Sequence, residues 1–135
     1  MQSVLIIDDE IDVRDSIARV LQRAGYRVRT AESALEGFTA MEALEPDVVI
    51  TDIIMPKVNG VEAIALMRQK FPQVRIVAIS GGGNFGITAY QPNAITTSAY
   101  LAAAQKAGAN LILTKPFESW DLLEAVQNVA LSGRA

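Results

Sequence analysis

The chain contains neither cysteine nor histidine among its 135 residues. Lacking cysteine, it forms no disulfide and no thiolate metal site. The absence of histidine removes imidazole as a general base, as a zinc ligand and as a phosphocarrier within this chain. Any metal must rest on oxygen ligands, a preference shared by Mg²⁺, Ca²⁺ and Mn²⁺. Aromatic residues are sparse, at 6%, and charges of one sign are nowhere gathered into a block. No apolar run approaches the roughly 20 residues that span a bilayer, and Met1-Gln2-Ser3 leads directly into strand-like sequence. With a formal net charge of −3, the chain lacks the basic balance that a phosphate backbone attracts. A soluble, cytoplasmic protein with no direct nucleic-acid or membrane partner is therefore expected.

What is present is a hydrophobic half of the residues, enough for the core of one domain. Two periods alternate along the chain. Val4 to Ile7 is a short apolar run that ends in acids, the mark of a buried strand. Val13, Ile17, Val20, Leu21 and Ala24 then recur at helical spacing, and Gly25 ends the helix. Tyr26 to Thr30 reads as a second strand. Ser33 is placed to cap a helix carrying Ala34, Phe38 and Met41, which Pro46 closes. Val48-Val49-Ile50 opens a third strand. The turn-rich Met55 to Gly60 leads into a helix with Val61, Ile64 and Met67 or Arg68 at its turns, ended by Phe71-Pro72. Val74 to Ile79 is a fourth strand, Ala99 to Ala107 an alanine-rich helix stopped by Gly108, and Leu111 to Leu113 a fifth strand. A last helix runs from about Ser119 to about Leu131. Five strands alternating with five helices imply an α/β fold, a doubly wound parallel sheet covered on both faces.

Ligands of such sheets gather beyond the carboxyl ends of the strands. There the first strand runs into Asp8-Asp9-Glu10, the third ends in Asp52, the fourth in Ser80, and the fifth is followed by Lys115-Pro116-Phe117. Three converging carboxylates repel one another and raise at least one pKa, which a divalent cation relieves. Mg²⁺ keeps several waters and takes one or two carboxylates, leaving positions for a phosphoryl group. Lys115 supplies a point charge for a phosphoryl oxygen, the Ser80 hydroxyl a donor, and Asp52 a carboxylate nucleophile. Each of these residues alone is commonplace at a strand end or on a surface. Their coincidence at four strand ends is what points to phosphoryl chemistry.

The sequence resembles the response-regulator receiver family of two-component signalling, in its chemotaxis-regulator-like form, over essentially its whole length. The matching stretches are Val4 to Glu10, Pro46 to Asp52, Met55-Pro56 with Asn59-Gly60, Ser80, Lys106 to Ala109 and Lys115-Pro116-Phe117. The resemblance implies a flavodoxin-like sheet of order 2-1-3-4-5, with residues 1–135 a single receiver domain and no effector domain. Asp52 would be phosphorylated by a histidine kinase or a histidine phosphotransfer protein. Mg²⁺ would be held by Asp9, Asp52 and the Ile54 backbone carbonyl, with Asp8 acting partly through water. Ser80 and Lys115 would contact the phosphoryl group, and the Lys115–Pro116 bond would be cis. Such a domain is a switch rather than an enzyme, apart from slow autodephosphorylation, and relays its state to a protein target that the sequence does not identify.

Two departures from the family pattern stand out. The aromatic residue usual three positions before the lysine is replaced by Ile112, which offers neither a swinging ring nor a hydroxyl. The segment Gly81 to Asn93 lengthens the connection after the fourth strand by roughly a dozen residues, a length that in compact domains is usually functional or disordered. Phe85, Tyr90 and the alanine-rich helix are thus expected to carry the switch in place of the missing aromatic. In the family, the first helix and the Pro116-Phe117 loop face the phosphodonor, here through Ile11, Arg14, Asp15 and Ala18. Three alternative readings fit less well, one of them a flavodoxin-like binding protein, whose flavin phosphate the acids after the first strand would repel. An aspartyl-phosphate hydrolase of the haloacid-dehalogenase type carries its acids in the opposite order along the chain. A receiver-like module that binds without phosphorylation has no need of the intact acidic set.

Overall fold

A computed structural model describes residues 2–55, 58–80 and 102–132. The main sheet is parallel throughout and contains β1 (Ser3–Ile7), β2 (Arg27–Ala31), β3 (Val48–Asp52), β6 (Arg75–Ser80) and β7 (Leu111–Thr114) in the spatial order β2-β1-β3-β6-β7. Counting only these five, the order is 2-1-3-4-5, as the resemblance implied. Between β3 and β6 lies a two-residue antiparallel pair, β4 (Ile54–Met55) and β5 (Val58–Asn59), where the sequence suggested only a turn. The helices are α1 (Ile11–Arg23), α2 (Ala34–Ala43), α3 (Gly60–Lys70), a fourth described over residues 102–107 (α4), and α5 (Ser119–Ser132). The expectations for the 81–93 segment, Phe85, Tyr90 and the start of the alanine-rich helix lie outside the described residues.

The period-2 alternation of each strand divides the core into two clusters. Leu5, Ile7, Val49, Ile76 and Ala78 face α2 and α3, with Met41, Ile64 and Met67 among their neighbours. Val4, Ile6, Ile50, Val77 and Ile79 face α1 and α5, against Ile17, Leu21, Leu122 and Val126. A central strand that is buried on both faces is apolar over most of its length, which is why Val4–Ile7 of β1 and Val48–Ile50 of β3 read as continuous runs. Ile112 is partly buried against the first cluster.

Local signals define several of the boundaries. The Ser33 side chain accepts from the Glu36 amide at 3.1 Å, so the expected cap of α2 is present. Asn59 caps α3 in the same manner, accepting from the amides of Val61 (3.0 Å) and Glu62 (3.2 Å). At the end of the sheet remote from the strand carboxyl termini, Arg68 donates to the carbonyls of Pro72, Val74 and Gly108 and to Asn110 Oδ1. Burial lowers its pKa from the ordinary arginine value. No helix among the described residues is long and apolar enough to cross a membrane.

Candidate functional site

All the residues singled out at the strand ends meet on one rim. Asp8 follows β1, Asp52 is the last residue of β3, Ser80 the last of β6, and Lys115 follows β7. Carboxylate oxygens of Asp8, Asp9 and Asp52 lie within 4.8 Å of one another. Lys115 Nζ stands 3.4 Å from Asp52 Oδ2, longer than a tight charge-assisted bond. The Ser80 carbonyl accepts from the Lys115 amide at 3.0 Å, which joins the ends of β6 and β7. The Lys115–Pro116 peptide is cis.

The pleat determines which side each group comes from. Asp52 shares its parity with Val48 and Ile50, so it belongs to the α1/α5 side of β3. Ser80 shares its parity with Ile76 and Ala78 and belongs to the α2/α3 side. The two residues therefore approach the rim from opposite faces of the sheet. Ile112, paired with Ala78, lies on the Ser80 side.

Burial governs the electrostatics. Asp8, Asp52 and Ser80 are almost fully buried, whereas Asp9 is exposed. Asp8 Oδ1 accepts from the Glu10 amide at 2.9 Å. Asp8 Oδ2 and Ser80 Oγ are buried without a hydrogen-bond partner among the described residues. Burial is the main force that pushes the Asp8 carboxyl up to about 6, and the neighbouring Asp52 and Asp9 carboxylates add to it. The Glu10 amide and Lys115 pull it down. Mutual repulsion, the cause expected from sequence, is the smaller contribution; loss of water comes first.

Three features escaped the sequence. Gly60 reads as a turn residue, yet a Cβ there would come within 2.2 Å of the Ile53 carbonyl oxygen. The backbone behind Asp52 thus packs directly on the start of α3. Asn59 reads as part of the same turn and is the helix cap. Arg14, assigned to the docking patch, is half-buried and donates from Nη1 to the Asp8 carbonyl at 2.9 Å. Of the other three patch residues, Ile11 and Asp15 are exposed and Ala18 is half-buried.

The fold is that of a doubly wound α/β domain, which binds its ligands beyond the strand carboxyl ends, where the carboxylate cluster and Lys115 lie. Comparison with known proteins narrows this. A family model described as the response regulator receiver domain matches residues 4–127. The chain is 30% identical over 131 residues to the chemotaxis protein CheY of Listeria monocytogenes, covering 96% of this chain and 99% of that one. With the CheY of Thermotoga maritima it shares 33% over 130 residues, 94% of this chain and 96% of the other. Among solved structures, the receiver domain of NtrX from Brucella abortus superposes with a TM-score of 0.81 at 26% identity, covering 96% and 98% of the two chains. Against the longer NtrX chain solved with ADP, the match spans 27% of that protein. The chain belongs to the response regulator receiver domain family.

Proposed function

We propose that this receiver domain takes a phosphoryl group onto Asp52 from a sensor histidine kinase or a histidine phosphotransfer protein, and passes its state on by protein contact. The observation that carries this reading is the meeting of Asp8, Asp9 and Asp52 within 4.8 Å, with the Lys115 ammonium beside Asp52. The donor set suits Mg²⁺: it is all oxygen, open to solvent at Asp9, and includes a buried Asp8 Oδ2 with no partner among the described residues. Asp8, Asp9, Asp52 and the Ile54 backbone carbonyl would hold the ion. When bound, it supplies positive charge to the carboxylates and to the oxygens of an incoming phosphoryl group.

Asp52 acts as the nucleophile. One of its carboxylate oxygens attacks phosphorus, and an O–P bond forms as the N–P bond of the donor phosphohistidine breaks. The electron pair of that bond returns to the imidazole nitrogen. Since Asp52 attacks as a carboxylate, no general base is required, which agrees with a chain that has no histidine. Lys115 is positioned to pair with one phosphoryl oxygen, and the Ser80 hydroxyl, which has no partner among the described residues, to donate to another. Ile11 and Trp120, 58% and 71% exposed, flank the rim and suit contact with a donor protein.

Intact mass after incubation with acetyl phosphate and Mg²⁺ tests the proposal. A gain of one phosphoryl mass is expected for the native chain, and none for Asp52→Asn or in the presence of EDTA. An equal gain in Asp52→Asn would remove Asp52 from the role.

A further inference from the structure

The turn that carries two of the three acids is held by three hydrogen bonds, each to a different group. Asp8 lies just beyond the β1 ladder, and its amide donates to the Ala31 carbonyl at 3.1 Å. Glu10, which precedes α1, makes no side-chain cap, and its amide donates to Asp8 Oδ1 at 2.9 Å, which holds that carboxylate oxygen but not the Asp8 carbonyl. The Asp8 carbonyl instead accepts from Arg14 Nη1, reaching back over the first turn of α1 at 2.9 Å. This hydrogen bond ties the helix to the peptide unit joining Asp8 and Asp9.

We propose that Arg14 is a positioning residue for the acidic site. Its guanidinium anchors the Asp8–Asp9 peptide, so that Asp8 Oδ2 and the Asp9 carboxylate face Asp52 before any ion arrives. The role is geometric. Lys115 is the cation that lowers the Asp8 pKa, and Arg14 is not among the charges that shift it. Groups that orient metal ligands typically change metal affinity by about 10- to 100-fold when removed. The same range is expected here, because a free Asp8 carbonyl lets the turn rotate and scatters the two carboxylates.

This inference rests on the acidic rim binding a divalent cation, and the experiment separates the two ideas. Mn²⁺ is titrated into the native chain, Arg14→Met, Arg14→Lys and Arg29→Met, with free ion followed by electron paramagnetic resonance and folding checked by circular dichroism. Arg29 is the control: its guanidinium also donates to backbone carbonyls, those of Ala40 and Leu44, but on β2 and away from the acids. The expected result is at least a tenfold loss of Mn²⁺ affinity in folded Arg14→Met, partial recovery in Arg14→Lys, and native affinity in Arg29→Met. Native affinity in folded Arg14→Met overturns the positioning role while leaving the site intact. Equal losses in Arg14→Met and Arg29→Met overturn it as well, because they would reflect stability alone. No Mn²⁺ binding by the native chain overturns the cation site itself, and this inference with it.

Discussion

At the scale of single residues, Asp8 shows how a carboxylate buried at the rim weakens the fold once ionised. Its pKa is raised from 3.8 to about 6, so the folded chain holds its proton more tightly than the unfolded chain does. A raised pKa contributes stability that is complete below about 3.8 and lost as the pH climbs through about 6. Above that range, the ionised and desolvated carboxylate costs the metal-free protein about 3 kcal/mol. Asp8→Asn keeps an oxygen for the Glu10 amide and removes the charge. In EDTA, the variant is expected to be more stable than the native chain by up to about 3 kcal/mol at pH 7.5. The advantage should fade toward pH 4. Urea midpoints across that range check it, and a less stable variant at pH 7.5 would contradict the account. Residues of this kind are legible in sequence as acids at a strand end. The sign of their effect is not, because desolvation depends on how deeply the fold buries them.

Between elements, the clearest constraint is the contact of α3 with the backbone behind Asp52. A Cβ on Gly60 would meet the Ile53 carbonyl oxygen at 2.2 Å and its Cα at 2.4 Å. Backbone there cannot yield, because the Ile53 amide is bonded to Ile79 in the neighbouring strand. Gly37 differs: its added Cβ would strike the flexible end of the Ile7 side chain. Gly60→Ala is therefore expected to cost about 3 kcal/mol, and Gly37→Ala about 1 kcal/mol, within the usual range for overpacking. Denaturant unfolding of both variants measures the difference; equal costs would show that the α3 contact gives way. The sequence places Gly60 in a turn-rich loop, whereas it is the first residue of α3, and a turn signal cannot reveal that another segment's carbonyl occupies the space of its side chain. Arg68 shows the same limit. Its spacing left it on the helix face beside Met67, and only the packed corner shows it gathering the ends of α3, β6 and the 102–110 segment.

For the molecule as a whole, the proposed metal binding and folding should be coupled, because the acids come from two strands that are separated in the unfolded chain. At Mg²⁺ concentrations about 100 times the dissociation constant, linkage adds about 2.7 kcal/mol to stability. That increment should be near its full size at pH 7.5 and shrink below about pH 6, where a proton on Asp8 competes with the ion. Thermal unfolding with and without Mg²⁺ at pH 7.5 and 5 tests this; a shift of equal size at both values would exclude Asp8 as a ligand.

By itself the sequence determined the alternation of buried strands and helices, the parallel doubly wound class, and the acids, serine and lysine placed at strand ends. These are consequences of local periodicity, since a strand buried on both faces is apolar over most of its length and its first polar residues mark its carboxyl end. The hairpin of β4 and β5 was not legible, because two-residue strands carry no period. Only the tertiary structure decided the rest: that the acids meet within 4.8 Å, that burial more than repulsion raises Asp8, and that Arg14 reaches the Asp8 carbonyl. Distances between strand ends, solvent access and the direction of a long side chain all depend on what packs alongside, and no local pattern encodes that.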